Sequence, residues 1–323
     1  MALMEDKLPV EKAYRLEKQQ AEQKWLIKSV WARAAVGIIG GAPKCCKSWF
    51  GLDIAVSVAS GTPCLDRFAV ENKGPVLVFL AEDAICTVRS RIDAICDHRR
   101  LDIQELDLYA ITAPALRLDL SEDQNRLKST LEDLRPRLLL LDPLVRMHRL
   151  DENSASDISK LLGFLRELQR SYDCAIVLVH HASKKHHAQP GQALRGSSDL
   201  HAFGDSNAYL ARRKKRLVLT LEHRSAKPPD PLELELISHP DGSRTHLQIV
   251  STDKANEDQP LSHRVLRVLN HSPQPMTRTS IRDQLKANNE RVGHAIAELD
   301  QKGLVMRTKN GWVSLSGEVA VNQ

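Results

Sequence analysis

The run GGAPKCCKSWF, Gly40 to Phe50, sets a lysine and a serine in the order that phosphate chemistry asks for. In the pattern G-x-x-x-x-G-K-[ST], backbone N–H groups at a helix start point at an anion, supported by the positive end of the helix dipole. Gly41, Ala42, Pro43, Lys44, Cys45 and Cys46 supply such a loop, and Lys47, Ser48 and Trp49 open the helix. Lys47 then meets the β- and γ-phosphates and Ser48 ligates Mg2+. Cys46 stands where the pattern has its second glycine. Three readings follow: a working site with one odd residue, a dead site, or a cysteine motif. A cysteine is tolerated there if its backbone φ is negative.

Hydrolysis at such a loop needs further groups. RLLLLDP ends an apolar strand in Asp142, placed to hold Mg2+ through water. PVLVFLAED ends in Glu82, a carboxylate that can orient and polarise water, while Asp83 is predicted to cap the following helix. His180 and His181 end another apolar strand. They read as a polar sensor linking the γ-phosphate to the next loop, or, for one of them, as a structural histidine. A metal site shared with His186 and His187 lacks an acidic or cysteine partner.

The elements that must position these groups alternate. AVGIIG (35–40), PVLVFLAED (75–83), DLYAI (107–111), RLLLLDPL (137–144) and CAIVLVHH (174–181) are strand-like. Helical stretches cover 48–60, 121–134, where Ser121 is cap-like, and 154–172, with another beginning near Asp83. Apolar runs without alternation, separated by helices, predict an α/β fold with a mostly parallel sheet covered on both faces. Residues 183–207 are rich in Gly, Ser and His and read as a loop region. RLVLTLEHR (216–224) and PLELELI (231–237) alternate apolar with polar residues and are predicted as antiparallel edge strands.

STDKANEDQP (251–260) reads as a linker. Beyond it come predicted helices over 261–270, 277–286 and 289–303, then LVMRTKNGWVSL, whose Asn-Gly marks a hairpin. Three helices followed by a hairpin is the order of a winged helix-turn-helix, a small α+β domain. Its third helix is predicted to expose Asn288, Asn289, Arg291 and His294 toward base edges, with Arg307 and Lys309 at the wing near phosphate. The expected division is an N-terminal helical arm (1–30), an ATPase core (31–250), the linker, and this module (261–316).

Composition agrees with a globular protein: 42% hydrophobic and 27% charged residues in 323 allow one large core and a small one. A net charge of +5 permits nucleic-acid binding without requiring it. Six cysteines without a CxxC pair, no signal-like N-terminus and no long apolar run predict a cytoplasmic chain with free thiols and no membrane partner.

GGAPKCCKS, FLAED, LLLLDPLVRMHRLDENSAS, VLVHHASK and ALRGSSDLHAFGDSNAYLA together resemble the RepA-type ATPases of the RecA/DnaB-like class, over about residues 25 to 237. The resemblance implies a RecA-like P-loop core, ATP and Mg2+ at subunit interfaces, a ring (hexameric) or filament, and DNA-facing loops. By position it makes Glu82 the catalytic base, Asp142 the Walker B acid and His181 the sensor. It makes the 183–198 loop, with Lys184, Lys185 and Arg195, the DNA-facing or coupling element. The family's D-x-x-R-W arginine is missing, since the chain reads Asp205-Ser-Asn-Ala. Arg224 or Lys227 is the expected replacement in trans, with Arg212 and Arg213 as the other candidates. The function expected is an ATP-hydrolysing motor on DNA. The alternatives are a protein-remodelling ATPase without strand separation and a nucleotide-gated DNA-binding regulator.

Overall fold

The computed structural model describes residues 10–15, 24–152, 154–181, 198–213, 216–240, 243–250, 261–270, 272, 274–285 and 287–315. The chain forms two compact units, Met1–Val250 and Ser251–Gln323.

In the first unit a hairpin of β1 (Trp25–Ile27) and β2 (Trp31–Ala32) precedes β3 (Val36–Gly41). There follow α1 (Lys47–Ser60), β4 (Val76–Leu80), α2 (Ile85–Arg99), β5 (Leu108–Ala110), α3 (Ser121–Leu134), β6 (Leu138–Asp142), α4 (Ala155–Tyr172) and β7 (Ala175–His181). A short α5 (Ser198–Phe203) leads to β8 (Ser206–Arg213), β9 (Arg216–His223), β10 (Leu232–Ile237) and β11 (His246–Ile249). β3 to β11 make one nine-stranded sheet, in the order β11-β10-β9-β8-β3-β7-β6-β4-β5. The six strands from β8 to β5 run parallel and β9 to β11 continue antiparallel.

The sequence dictates the two-sided cover. Leu138 and Leu140 of β6 enter the core on the α1–α2 side, whereas Leu139 and Leu141 pack with α3 and α4. β4 and β7 divide their residues the same way, so these strands must be apolar at every position. β3 and β8 lie unusually close. A Cβ on Gly37 would stand 1.6 Å from the Ser206 carbonyl oxygen, so only glycine fits there.

Two expectations need correction. The segment 183–207 is not loop to its end: α5 occupies 198–203 and β8 starts at Ser206. Its polar residues mislead because they serve core backbone. Asp205 accepts from the Val36 N–H (3.3 Å), Ser206 from Ala32 (3.1 Å) and Asn207 from Ile38 (3.0 Å). The arm does not extend to residue 30 either, because Leu26, Ile27, Val30 and Trp31 are buried in the main core.

The second unit holds α6 (Leu261–Asn270), α7 (Arg278–Leu285), α8 (Asn289–Gln301) and a hairpin of β12 (Val305–Thr308) and β13 (Gly311–Ser314). Val265, Leu269, Ile281, Val292, Ile296 and Leu299 form its core. Asn288 caps α8, its side chain accepting from the N–H groups of Glu290 and Arg291. The segment 251–260 lies outside the described residues.

Candidate phosphate site at the sheet edge

Parallel strands collect chemistry at their carboxyl ends. Gly40 and Gly41 of β3 lie in register with His180 and His181 of β7, and with Tyr209 and Leu210 of β8. Leu80 of β4 pairs with Asp142 of β6, and Ala81 donates its N–H to the Asp142 carbonyl at 2.7 Å. The loop 42–46, both histidines, Asp142 and Glu82 therefore gather at one edge.

The loop turns into α1 at Lys47, with Cys46 at the cap position making no side-chain hydrogen bond to the helix end. The first N–H groups of a fourteen-residue helix are thus left to an anion. Lys47 is buried and donates to the carbonyls of Gly41 (3.0 Å) and Ala42 (2.9 Å). Burial lowers its pKa, while the nearby Cys45, Asp142 and Glu82 oppose that shift.

Cys46 departs from expectation. Its φ is +58° and ψ 26°, in the left-handed region, so the condition of a negative φ is not met. A glycine takes this conformation freely, whereas a cysteine holds it at a cost of roughly 1 kcal/mol. Lys44 is also left-handed, at +62°.

Asp142 is almost fully buried, and one carboxylate oxygen, Oδ2, has no hydrogen-bond partner. Burial pushes its pKa up to about 6, and the neighbouring carboxylates Asp83 and Glu82 add to the rise. A hydrogen bond from Ser48 and the charge of Lys47 pull the other way. An orphaned carboxylate oxygen beside a serine hydroxyl is a donor set that suits a hard, oxygen-seeking cation such as Mg2+.

Glu82, half-exposed just past β4, accepts from Arg146 Nε at 2.7 Å. Asp83 does not cap α2. Ala84 holds that position, and Asp83 receives Arg91 through two bonds of 2.6 and 3.0 Å. Likewise Ser121 is the first residue of α3 rather than its cap, which is Leu120. His181 is half-buried, and its pKa is lowered by burial and by Lys47, so the ring is neutral near pH 7. Behind it His180 is buried, 3.8 Å from Glu152. Arg146 and Glu152 were not singled out in the sequence, because each becomes significant only through a partner far along the chain.

A cavity of about 530 Å3 opens beside the loop, lined by Cys46, Arg212, Arg216, Leu217, Leu234 and Glu235 among others. Arg212 continues β8 two residues past Leu210, which pairs with Gly41. It thus stands next to its own chain's loop.

Arg224 does not join this group. It follows β9 at the opposite end of the sheet, where its guanidinium meets Asp205 (3.1 Å) and the Ala202 carbonyl (2.8 Å). Arg166 binds the same carboxylate. Lys184, Lys185, Arg195, His186 and His187 lie outside the described residues. In the second unit Asn289, Arg291, Arg307 and Lys309 are all exposed. Asn289 and Arg291 stand in the first turn of α8, Arg307 lies on β12 and Lys309 in the hairpin turn.

A strand ending in two glycines, a short turn and an uncapped helix, with an acid on a nearby strand of a mainly parallel sheet, make the arrangement of a P-loop protein with a RecA-like fold. The family comparison agrees. A model of the AAA domain family matches residues 5–187, more than half of the chain, and the chain belongs to that family. Among solved structures, a RadB recombinase is similar at 14% identity over 68% of this chain and 92% of its own, with a TM-score of 0.50. A KaiC-like protein from the archaeon Pyrococcus horikoshii OT3 is similar at 12% identity, over 70% and 93% of the two chains, with a TM-score of 0.49.

Proposed function

We propose that this chain is a RepA-like, ATP-hydrolysing motor that acts on DNA, with a winged helix as its second unit. The observation that carries the reading is the meeting of Lys47, Ser48, Asp142, Glu82 and His181 at one edge of the sheet. Lys47 and the N–H groups of α1 bind the β- and γ-phosphates, and the cavity beside Cys46 takes the nucleoside. Ser48 and Asp142 would hold Mg2+, which would supply charge neutralisation at the phosphates. Glu82 orients water and takes its proton. His181, neutral and close to Lys47, reports the state of the γ-phosphate to the chain that follows it.

The motor reading includes self-association, with a ring favoured. Arg224 is a candidate to act on a neighbouring subunit's nucleotide, which requires that it first leave Asp205. DNA contacts fall to Lys184, Lys185 and Arg195 and to the exposed polar residues of the second unit. The order of three helices and a hairpin supports the winged-helix assignment, as does the exposure of Asn289 and Arg291 in the first turn of α8.

One observation favours a second reading, a nucleotide-gated regulator with little turnover. Glu82 is neutralised by Arg146 and Arg224 by Asp205, so both reactive groups are engaged within their own chain. Phosphate release from ATP, measured alone and with single-stranded and forked DNA, separates the readings. A motor hydrolyses ATP faster with DNA and parts the fork; a remodeller hydrolyses without parting it. Absence of turnover under every DNA condition leaves the regulator.

A further inference from the structure

A second cluster of ligand-type side chains lies away from the phosphate edge. It joins three distant parts of the chain: Asp66 in the turn after α1, His98 in the last turn of α2, and His246 at the start of β11. One ligand atom from each lies within 4.8 Å of the others. His98 Nε2 is 2.7 Å from Asp66 Oδ2, and the two imidazoles stack with centroids 3.4 Å apart and planes 12° from parallel.

His246 is the best-prepared of the three. Its Nδ1 stands 2.6 Å from the Arg244 carbonyl, which can only accept, so the proton sits on Nδ1. Nε2 then carries the lone pair, the tautomer that metal-ligating histidines adopt when the other ring nitrogen donates to a carbonyl. The ring is buried, and its neighbours hold it in place. His98 lies at the carboxyl end of a fifteen-residue helix, where the dipole favours a cation. Beside the cluster a buried guanidinium, Arg99, is bound to Asp53 at 2.6 Å and stands 3.9 Å from Asp66. The carboxylate of Asp66 therefore keeps an oxygen for another partner, and its side chain is half-exposed.

From this arrangement we propose that Asp66, His98 and His246 form a binding site for a divalent transition cation of the Zn2+ type, with water completing the coordination. Two imidazoles and a carboxylate with one open position are a normal donor set for Zn2+. Bonds of about 2.0–2.1 Å require ligand atoms about 3.3 Å apart, closer than the present limit of 4.8 Å. The stacked rings cannot both point at one ion, so one must turn. His98, at a helix end and partly exposed, exchanges its bond to Asp66 for one to the metal, while His246 stays fixed. The ion then ties the edge strand β11 to α2 and to the turn after α1. The site is separate from the nucleotide edge and does not depend on the function proposed above.

The test uses the full chain, stripped with a chelator and free of nucleotide, titrated with Zn2+ by calorimetry and with Co2+ by visible spectroscopy. The expected result is one Zn2+ per chain, with affinity lowered at least tenfold in His98→Ala and in His246→Ala. Zn2+ raises the melting temperature of the unaltered chain and not that of Asp66→Asn, a half-exposed substitution that preserves shape and keeps the test valid if His246→Ala does not fold. Three results overturn the proposal: no stoichiometric binding, equal binding in His98→Ala and Asp66→Asn, or a strong thiolate-to-cobalt band, which places the ion on cysteine.

Discussion

Cys46 holds a backbone conformation that glycine adopts without strain. Cys46→Gly is therefore expected to raise stability by roughly 0.5–1 kcal/mol, the relief of strain exceeding the added flexibility of the unfolded chain. Nucleotide affinity should be kept or improved; urea unfolding and a nucleotide titration read the two effects. A loss of affinity means that the thiol itself is needed. Asp142 makes a pH-dependent claim. Its pKa is raised from 3.8 to about 6, so the folded chain holds that proton more tightly than the unfolded one. The contribution of this group to stability is greatest at low pH and declines as pH rises from about 4 to about 6. A cation must compete with the same proton. Mg2+-dependent nucleotide affinity is accordingly expected to weaken as pH falls below about 6, and Asp142→Asn should reduce that dependence, leaving the part due to the nucleotide's own phosphate.

Between elements, the decisive approach is β3 against β8. Gly37→Ala puts a methyl group into the Ser206 carbonyl, and the expected loss is about 3 kcal/mol, seen in thermal unfolding. An unchanged melting temperature contradicts the packing described. This region also shows why parts of the fold were hard to read. β3, β4, β6 and β7 are buried on both faces, so each is an uninterrupted apolar run and was legible, together with the acid or histidine at its end. β8 is entered through Asp205-Ser-Asn, residues that ordinarily mark a turn; their role as acceptors for β2 and β3 exists only once the strands meet. β11 is short and carries His246 and Gln248, with no pattern to separate it from loop. The positive φ of Cys46 was illegible for a similar reason. A residue type states what conformation it prefers, whereas the loop between β3 and α1 imposes the one required.

At the scale of the whole molecule, the two units divide the proposed labour: nucleotide chemistry in the first, and duplex contact in the second, shared with loops of the core. Arg291 and Arg307 are exposed and away from their unit's core, so replacing either by Ala should leave folding intact. If they meet phosphates, each substitution weakens DNA binding across sequences and lowers the salt dependence by about one unit of slope. Fluorescence anisotropy at several salt concentrations reads both effects. Among the described residues no helix is long and apolar enough to cross a membrane. The proposed function turns on hydrolysis of ATP by the groups at the sheet edge. Its most direct test is steady-state phosphate release by the unaltered chain and by Glu82→Gln, each with DNA present and nucleotide binding measured in parallel. Turnover is expected in the former, and a loss of roughly a hundredfold or more in the latter with nucleotide still bound. Equal hydrolysis by the two would contradict it.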